Sequence, residues 1–108
     1  MRDKLTWCAG IKNGIIFVEP NDNLASAYSI KAEEALEAMH AVPSFDGKIS
    51  TGYYSLYYSL YSVLMKIGIR CENHSCTIEI MQHLLNQYFS SDDCELLETA
   101  RRARVVTQ

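Results

Sequence analysis

The sequence lacks an excess of positive charge: 13 Asp and Glu outweigh 10 Lys and Arg, for a formal charge of −3. A protein that grips nucleic acid along its backbone usually carries a strongly basic face. Bulk nucleic-acid binding is therefore disfavoured, and any such contact has to be local. The opening residues, from Met1 to Trp7, lack the apolar core of a secretion signal. A membrane span needs roughly 20 mostly apolar residues. The nearest run, residues 49–65, is broken by Ser, Thr and Gly and crowded with tyrosine. These absences predict a cytoplasmic chain with no membrane contact. They also bear on Cys8, Cys71, Cys76 and Cys94, which are expected to be reduced thiols in the absence of export. No internal repeat or low-complexity segment is present.

What is present fits one small helical domain. The 108 residues suffice for one domain, and an apolar fraction of 48% is ordinary for a globular chain. A chain of this size buries only part of its surface, so dimerisation would add stability. Residues 1–20 read as a peripheral segment. Residues 3–9 suggest a short helix carrying Leu5 and Trp7. Residues 15–18 are an apolar run that periodicity alone cannot assign, and an isolated strand would have no partner. That run is expected to dock on the helical core.

Asn21-Asp22-Asn23 offers helix N-caps. The pattern then predicts a helix over 24–40, with Leu24, Tyr28, Ala32, Ala35, Leu36 and Met39 on one face. Residues 43–47 read as a loop and 50–67 as a second helix, stopped by Gly68 at C′. Residues 69–73 read as a connector. Ser75 could cap a third helix over 76–89, with Ile78, Met81, Leu84, Leu85 and Tyr88 inward. A fourth helix carries Leu96, Leu97 and Ala100 and ends near Arg101, Arg102 and Arg104. The predicted architecture is an all-α antiparallel up-and-down bundle of four to five helices.

Gly52, Ser55, Ser59 and Ser62 recur at steps of three and four, which places them in one stripe down the second helix. Such a stripe lets another helix approach closely. Tyr53, Leu56, Leu60, Val63, Leu64 and Ile67 can fill a core. Tyr54, Tyr57, Tyr58 and Tyr61 spread over the remaining circumference. They are either core and rim residues or the lining of a cleft or dimer interface, since tyrosine joins apolar area to a polar handle.

The next segment gathers Lys66, Arg70 and His74 around a short turn. An imidazole can move protons near neutral pH, and a guanidinium can hold a phosphate through two parallel hydrogen bonds. Together they suit phosphodiester cleavage, with His74 as acid or base and Arg70 steadying charge at phosphorus. The plain alternative is a capping histidine beside a solvated arginine. Cys71, His74 and Cys76 sit too tightly for a structural zinc site and lack a second ligand pair, so no metal is expected. His40 and His83 read as surface residues. Arg101, Arg102 and Arg104 complement a helix C-terminus and are, secondarily, a candidate phosphate clamp.

The run Gly52-Tyr-Tyr-Ser-Leu-Tyr-Tyr-Ser-Leu-Tyr-Ser-Val-Leu-Met-Lys-Ile-Gly-Ile-Arg-Cys-Glu-Asn-His-Ser75 resembles HEPN domains, notably short prokaryotic members. Lys31-Ala-Glu-Glu-Ala-Leu36 is similar to that family's preceding helix. The resemblance spans about residues 24–90. It implies a dimerising helical bundle, and in many members a toxin paired with a minimal nucleotidyltransferase antitoxin. It further implies a metal-independent ribonuclease with no cofactor, whose cleft forms at the dimer interface from an arginine and a histidine. On these residues the catalytic pair would be Arg70 and His74. Lys66, Tyr54, Tyr58 and Tyr61 would contact RNA or nucleotide. The alternative is a non-catalytic subunit that binds a nucleotide or the nucleotidyltransferase. The chain departs from the family in two ways. The gap between Arg70 and His74 is shorter, and Ile67 falls where relatives carry a basic residue, with Lys66 roughly 100° away around the helix. Relatives often continue through a longer final helix, so an end at Gln108 looks early.

Overall fold

The computed structural model describes residues 4–107. It contains α1 (Lys4–Gly10), β1 (Ile15–Phe17), α2 (Asp22–Ala41), α3 (Phe45–Ile67), β2 (Ile69–Cys71), α4 (His74–His83) and α5 (Ser91–Thr107). The chain is an all-α bundle whose two three-residue strands form its one small sheet among the described residues. Met1, Arg2, Asp3 and Gln108 lie outside the described residues, and with them the expected start of the first helix at Asp3 and the reading of the chain's end.

α3 is the central element, packed chiefly on α2 and then on α5. The small stripe explains the first contact. Ser55 Oγ donates to the Ala32 carbonyl at 3.1 Å, and Ser62 Oγ donates to the Ala25 carbonyl at 2.7 Å. A Cβ on Gly52 would stand 3.0 Å from the Met39 sulfur. Later residues of α3 meet earlier residues of α2, so the two helices are antiparallel and their backbones touch along small side chains. The hydroxyls that meet α2 carbonyls are partly shielded from water, so their polarity is compensated. Leu60, Leu64, Ile80 and Leu97 form the fully buried centre, drawn from α3, α4 and α5.

Helix ends follow side-chain chemistry. Asn21 Oδ1 accepts from the Leu24 amide, and Ser44 Oγ accepts from the Gly47 amide. The Ser44 cap starts α3 at Phe45, so residues expected to form a loop are its first turn. Gly68 ends α3 in the left-handed region at φ 89°, a conformation that suits glycine. Asn73, not Ser75, caps α4 through Oδ1 and the Cys76 amide. α4 then stops at His83, short of the expected Phe89, and residues 84–89 turn back through bonds to the Ile80 and Leu85 carbonyls. Ser90 and Asp93 exchange side chain-to-amide bonds, a reciprocal cap for α5.

Three other expectations are corrected. The run from Ile15 does have a strand partner: it pairs antiparallel with β2, Ile16 opposite Arg70. The partner was hidden because residues 69–71 read as a connector, and the αL turn at Gly68 is what swings them alongside β1. Leu84 and Tyr88, expected inward, and Ile67, expected to fill the core, are exposed, as are Leu24 and Leu36 on the apolar face of α2. The cysteines are not all thiols, since Cys8 and Cys76 form a disulfide while Cys71 and Cys94 remain free and buried. Among the described residues, no helix is long and apolar enough to cross a membrane.

Candidate functional site

One cavity of about 270 Å³ brings tyrosines, a histidine and an arginine together. Its first wall is α3, whose Tyr53, Tyr54 and Tyr57 share a face. The Tyr53 and Tyr54 rings meet edge to face at 5.4 Å, and Tyr53 stacks on Tyr57 at 5.9 Å. Ring centroids in this range are favourable because the positive edge of one ring meets the negative face of another.

The second wall is Arg104, near the end of α5. Its Nη2 donates to the Tyr54 hydroxyl at 2.7 Å. The guanidinium lies 5.0 Å from the Tyr54 centroid and 5.5 Å from that of Tyr53. A planar cation at this distance is held by the ring quadrupoles as well as by the hydrogen bond. Burial pushes the Tyr53 phenol above its ordinary value, with Tyr57 adding to the rise and Arg104 opposing it.

The third wall is the junction of β2 and α4: Cys71, Glu72, Asn73, His74 and Thr77. Asn73 fixes the first turn of α4 as its cap. Thr77 Oγ1 donates to the His74 carbonyl at 2.7 Å. The His74 ring meets Glu98 of α5, with Nε2 placed 2.7 Å from Oε1. Assigning the proton to Nε2 satisfies the carboxylate and leaves Nδ1 as a proton acceptor. The arrangement can orient an imidazole, hold an anion at a guanidinium and stack a flat group on tyrosine.

The sequence-predicted residues divide. His74 and Tyr54 line the cavity. Arg70 does not: it is exposed on β2 between buried Ile69 and Cys71. Strand alternation turns it away from the face that carries Cys71. Lys66 is exposed in the last turn of α3 and outside the lining. Tyr58 stacks on Tyr28 and Tyr54, with Lys31 Nζ 5.5 Å above its ring. Tyr61 is buried, and its hydroxyl donates to the Cys71 carbonyl. Burial first, then Tyr57, raises its phenol well above the ordinary value. Cys76 is bonded to Cys8, so its thiolate is not available to a metal.

Sequence reasoning missed Glu98 and Tyr53 as site residues, offered Tyr57 only as one of four tyrosines that could line a cleft, and ranked Arg104 second. Glu98 stands 24 residues from His74, too far for any local spacing to show the pair. A larger cavity of about 360 Å³ lies between α2, α3 and α5, lined mainly by apolar groups such as Leu36, Ile49, Leu56 and Leu96. Its charged lining residue, Lys48, donates to the Met39 carbonyl, and no carboxylate or histidine lines it. Compared with protein-family models, curated proteins and solved structures, the chain matches none.

Proposed function

We propose that the chain binds RNA in the tyrosine–arginine cavity and cleaves it, with His74 as the acid–base group and Arg104 as the phosphate contact. The observation that carries this reading is the placing of an oriented imidazole and a ring-held guanidinium in one cavity. In such a site His74 Nδ1 takes the proton of a ribose 2′-hydroxyl. The 2′-oxygen attacks phosphorus to close a 2′,3′-cyclic phosphate, and the 5′-oxygen of the next nucleotide departs with the proton that His74 returns from Nδ1. Arg104 offsets the charge that builds on the phosphoryl oxygens, and Tyr53, Tyr54 or Tyr57 stacks a base. This takes the arginine role from Arg70 and gives it to Arg104.

The reading keeps the ribonuclease and the histidine that the HEPN resemblance implies, but draws its arginine from α5 and its cavity from one chain. It extends to a cytoplasmic toxin, acting as a homodimer and held in check by a minimal nucleotidyltransferase. A second reading is a non-catalytic subunit that binds a nucleotide or that partner; the carboxylates of Glu72 and Glu98 at the cavity repel phosphate and so favour the partner over the nucleotide. RNA cleavage by the purified chain in a chelator-containing buffer, beside His74→Ala, decides between them. Cleavage by the parent alone supports the first reading. Equal cleavage in both, or none in either after any partner is removed, sinks it. Nucleotide binding without turnover supports the second.

A further inference from the structure

The Cys8–Cys76 disulfide joins two distant parts of the chain, 68 residues apart in sequence. Cys76 lies in the first turn of α4, two residues from His74, and its amide is the one that the Asn73 cap holds. Cys8 is the one buried residue that α1 contributes. The helix is seven residues long, and an isolated helix of that length does not hold itself together in water. A polar contact beside the bond, Lys4 Nζ donating to Ser75 Oγ at 3.2 Å, also joins α1 to this turn. α1 leads directly into β1, and β1 pairs with β2. Thus α1, the two strands and the turn carrying His74 form one connected unit with the disulfide at its centre.

We propose that this bond is a reversible redox switch: oxidation locks α1 onto the His74 turn, and a thiol reductant releases it. Both sulfurs are fully buried, so the reductant enters as the short α1 frays. A reductant thiolate attacks one sulfur, forms a mixed disulfide and expels the other cysteine as a thiolate. A second reductant thiol then resolves the mixed disulfide. Two electrons and two protons reach the protein, and the reductant leaves as its own disulfide. Burial raises the Cys71 and Cys94 thiols above their ordinary value, which keeps them poor competitors in the exchange. The switch itself stands without the cavity reading; its effect on cleavage rests on that reading.

The test equilibrates the full chain in native glutathione buffers of graded ratio. Alkylatable thiols are counted by mass, and amide exchange is followed in each state. The expected result is reversible conversion between two and four thiols. Reduction should bring loss of exchange protection over residues 4–17 and 72–76, with α3 still protected. Cys8→Ser should show the released pattern in every buffer. RNA cleavage should fall on reduction and stay low in Cys8→Ser. A bond that opens only when the chain unfolds is a structural staple and overturns the proposal, as does unchanged exchange or four thiols after oxidation. A change in exchange with no cleavage in either state supports the switch and counts against the cavity reading.

Discussion

His74 donates from Nε2 to Glu98 Oε1 across 2.7 Å, tying the first residue of α4 to the middle of α5. The histidine side chain is 18% exposed and the glutamate 39%, so the imidazole at the cavity wall is largely shielded while the carboxylate stays partly wet. At that exposure the pair adds little to stability, and its consequence is orientation. His74→Ala should lower RNA cleavage by about 10²–10⁴-fold. Glu98→Gln, which can still accept the bond but carries no charge, should cost about tenfold or more in single-turnover rate. Both variants should unfold within about 1 kcal/mol of the parent. A Glu98→Gln chain that cleaves at the parent rate would show that the tie is only architectural.

The two candidate arginines make opposite predictions. The Arg104 guanidinium lies within 5.5 Å of two tyrosine ring centroids and is hydrogen-bonded to one of the hydroxyls. Lysine cannot reproduce a planar fork in that slot. Arg104→Lys should therefore weaken binding of a non-cleavable RNA oligomer by about 1–2 kcal/mol. Arg70 lies on the exposed face of β2, and Arg70→Ala should change binding by less than about 0.5 kcal/mol. Fluorescence anisotropy of the labelled oligomer reads both. A larger loss for Arg70→Ala than for Arg104→Lys would move the phosphate contact out of the cavity.

These assignments show which parts of the molecule local sequence carries. The α2 and α3 helices, the Asn21 cap and the Gly68 stop are consequences of residues within a few positions, and each was legible. The small stripe was legible too, but its partner was not: α2 of the same chain occupies it through Ser55 and Ser62. The strand pair was hidden because a three-residue strand has no period to detect, and its partner comes from the far side of two helices. The disulfide was hidden for a similar reason, with compartment logic arguing the other way. The site was half legible. His74 and Tyr54 belong to the tyrosine helix and the turn that follows it. Glu98 and Arg104 arrive only when α5 packs on α3, a tertiary event without a local signature.

Gly68 is the sharpest test of the fold. Its φ is 89°, and a Cβ there would stand 2.5 Å from the Val18 carbonyl oxygen and 3.2 Å from the Pro20 ring. Val18 and Gly68 are already joined, the Val18 amide donating to the Gly68 carbonyl at 2.9 Å. The substitution thus meets backbone strain and a rigid neighbour together. Gly68→Ala should lose about 2–4 kcal/mol in urea unfolding. Gly10→Ala, where nothing lies within 4 Å of the added carbon, should stay within about 1 kcal/mol of the parent. Equal stability of the two variants would contradict the αL turn.

Alkali should find the buried tyrosines. Tyr53 and Tyr61 both titrate above the ordinary phenol value of 10.0, chiefly because burial disfavours the phenolate. The unfolded chain ionises first, so it binds fewer protons than the folded chain once pH passes 10. The stability tied to these phenols is therefore complete below pH 10 and declines as pH rises toward their folded values, by up to about 1.4 kcal/mol per pH unit for each group. Tyr61 also supplies the bond to the Cys71 carbonyl, so Tyr61→Phe should start about 1–3 kcal/mol less stable at neutral pH. It should then fall less steeply above pH 10, having one buried phenol fewer. Parallel urea titrations of parent and Tyr61→Phe at pH 7 to 11 measure both effects. Identical slopes above pH 10 would mean that the Tyr61 phenol is not held neutral by burial.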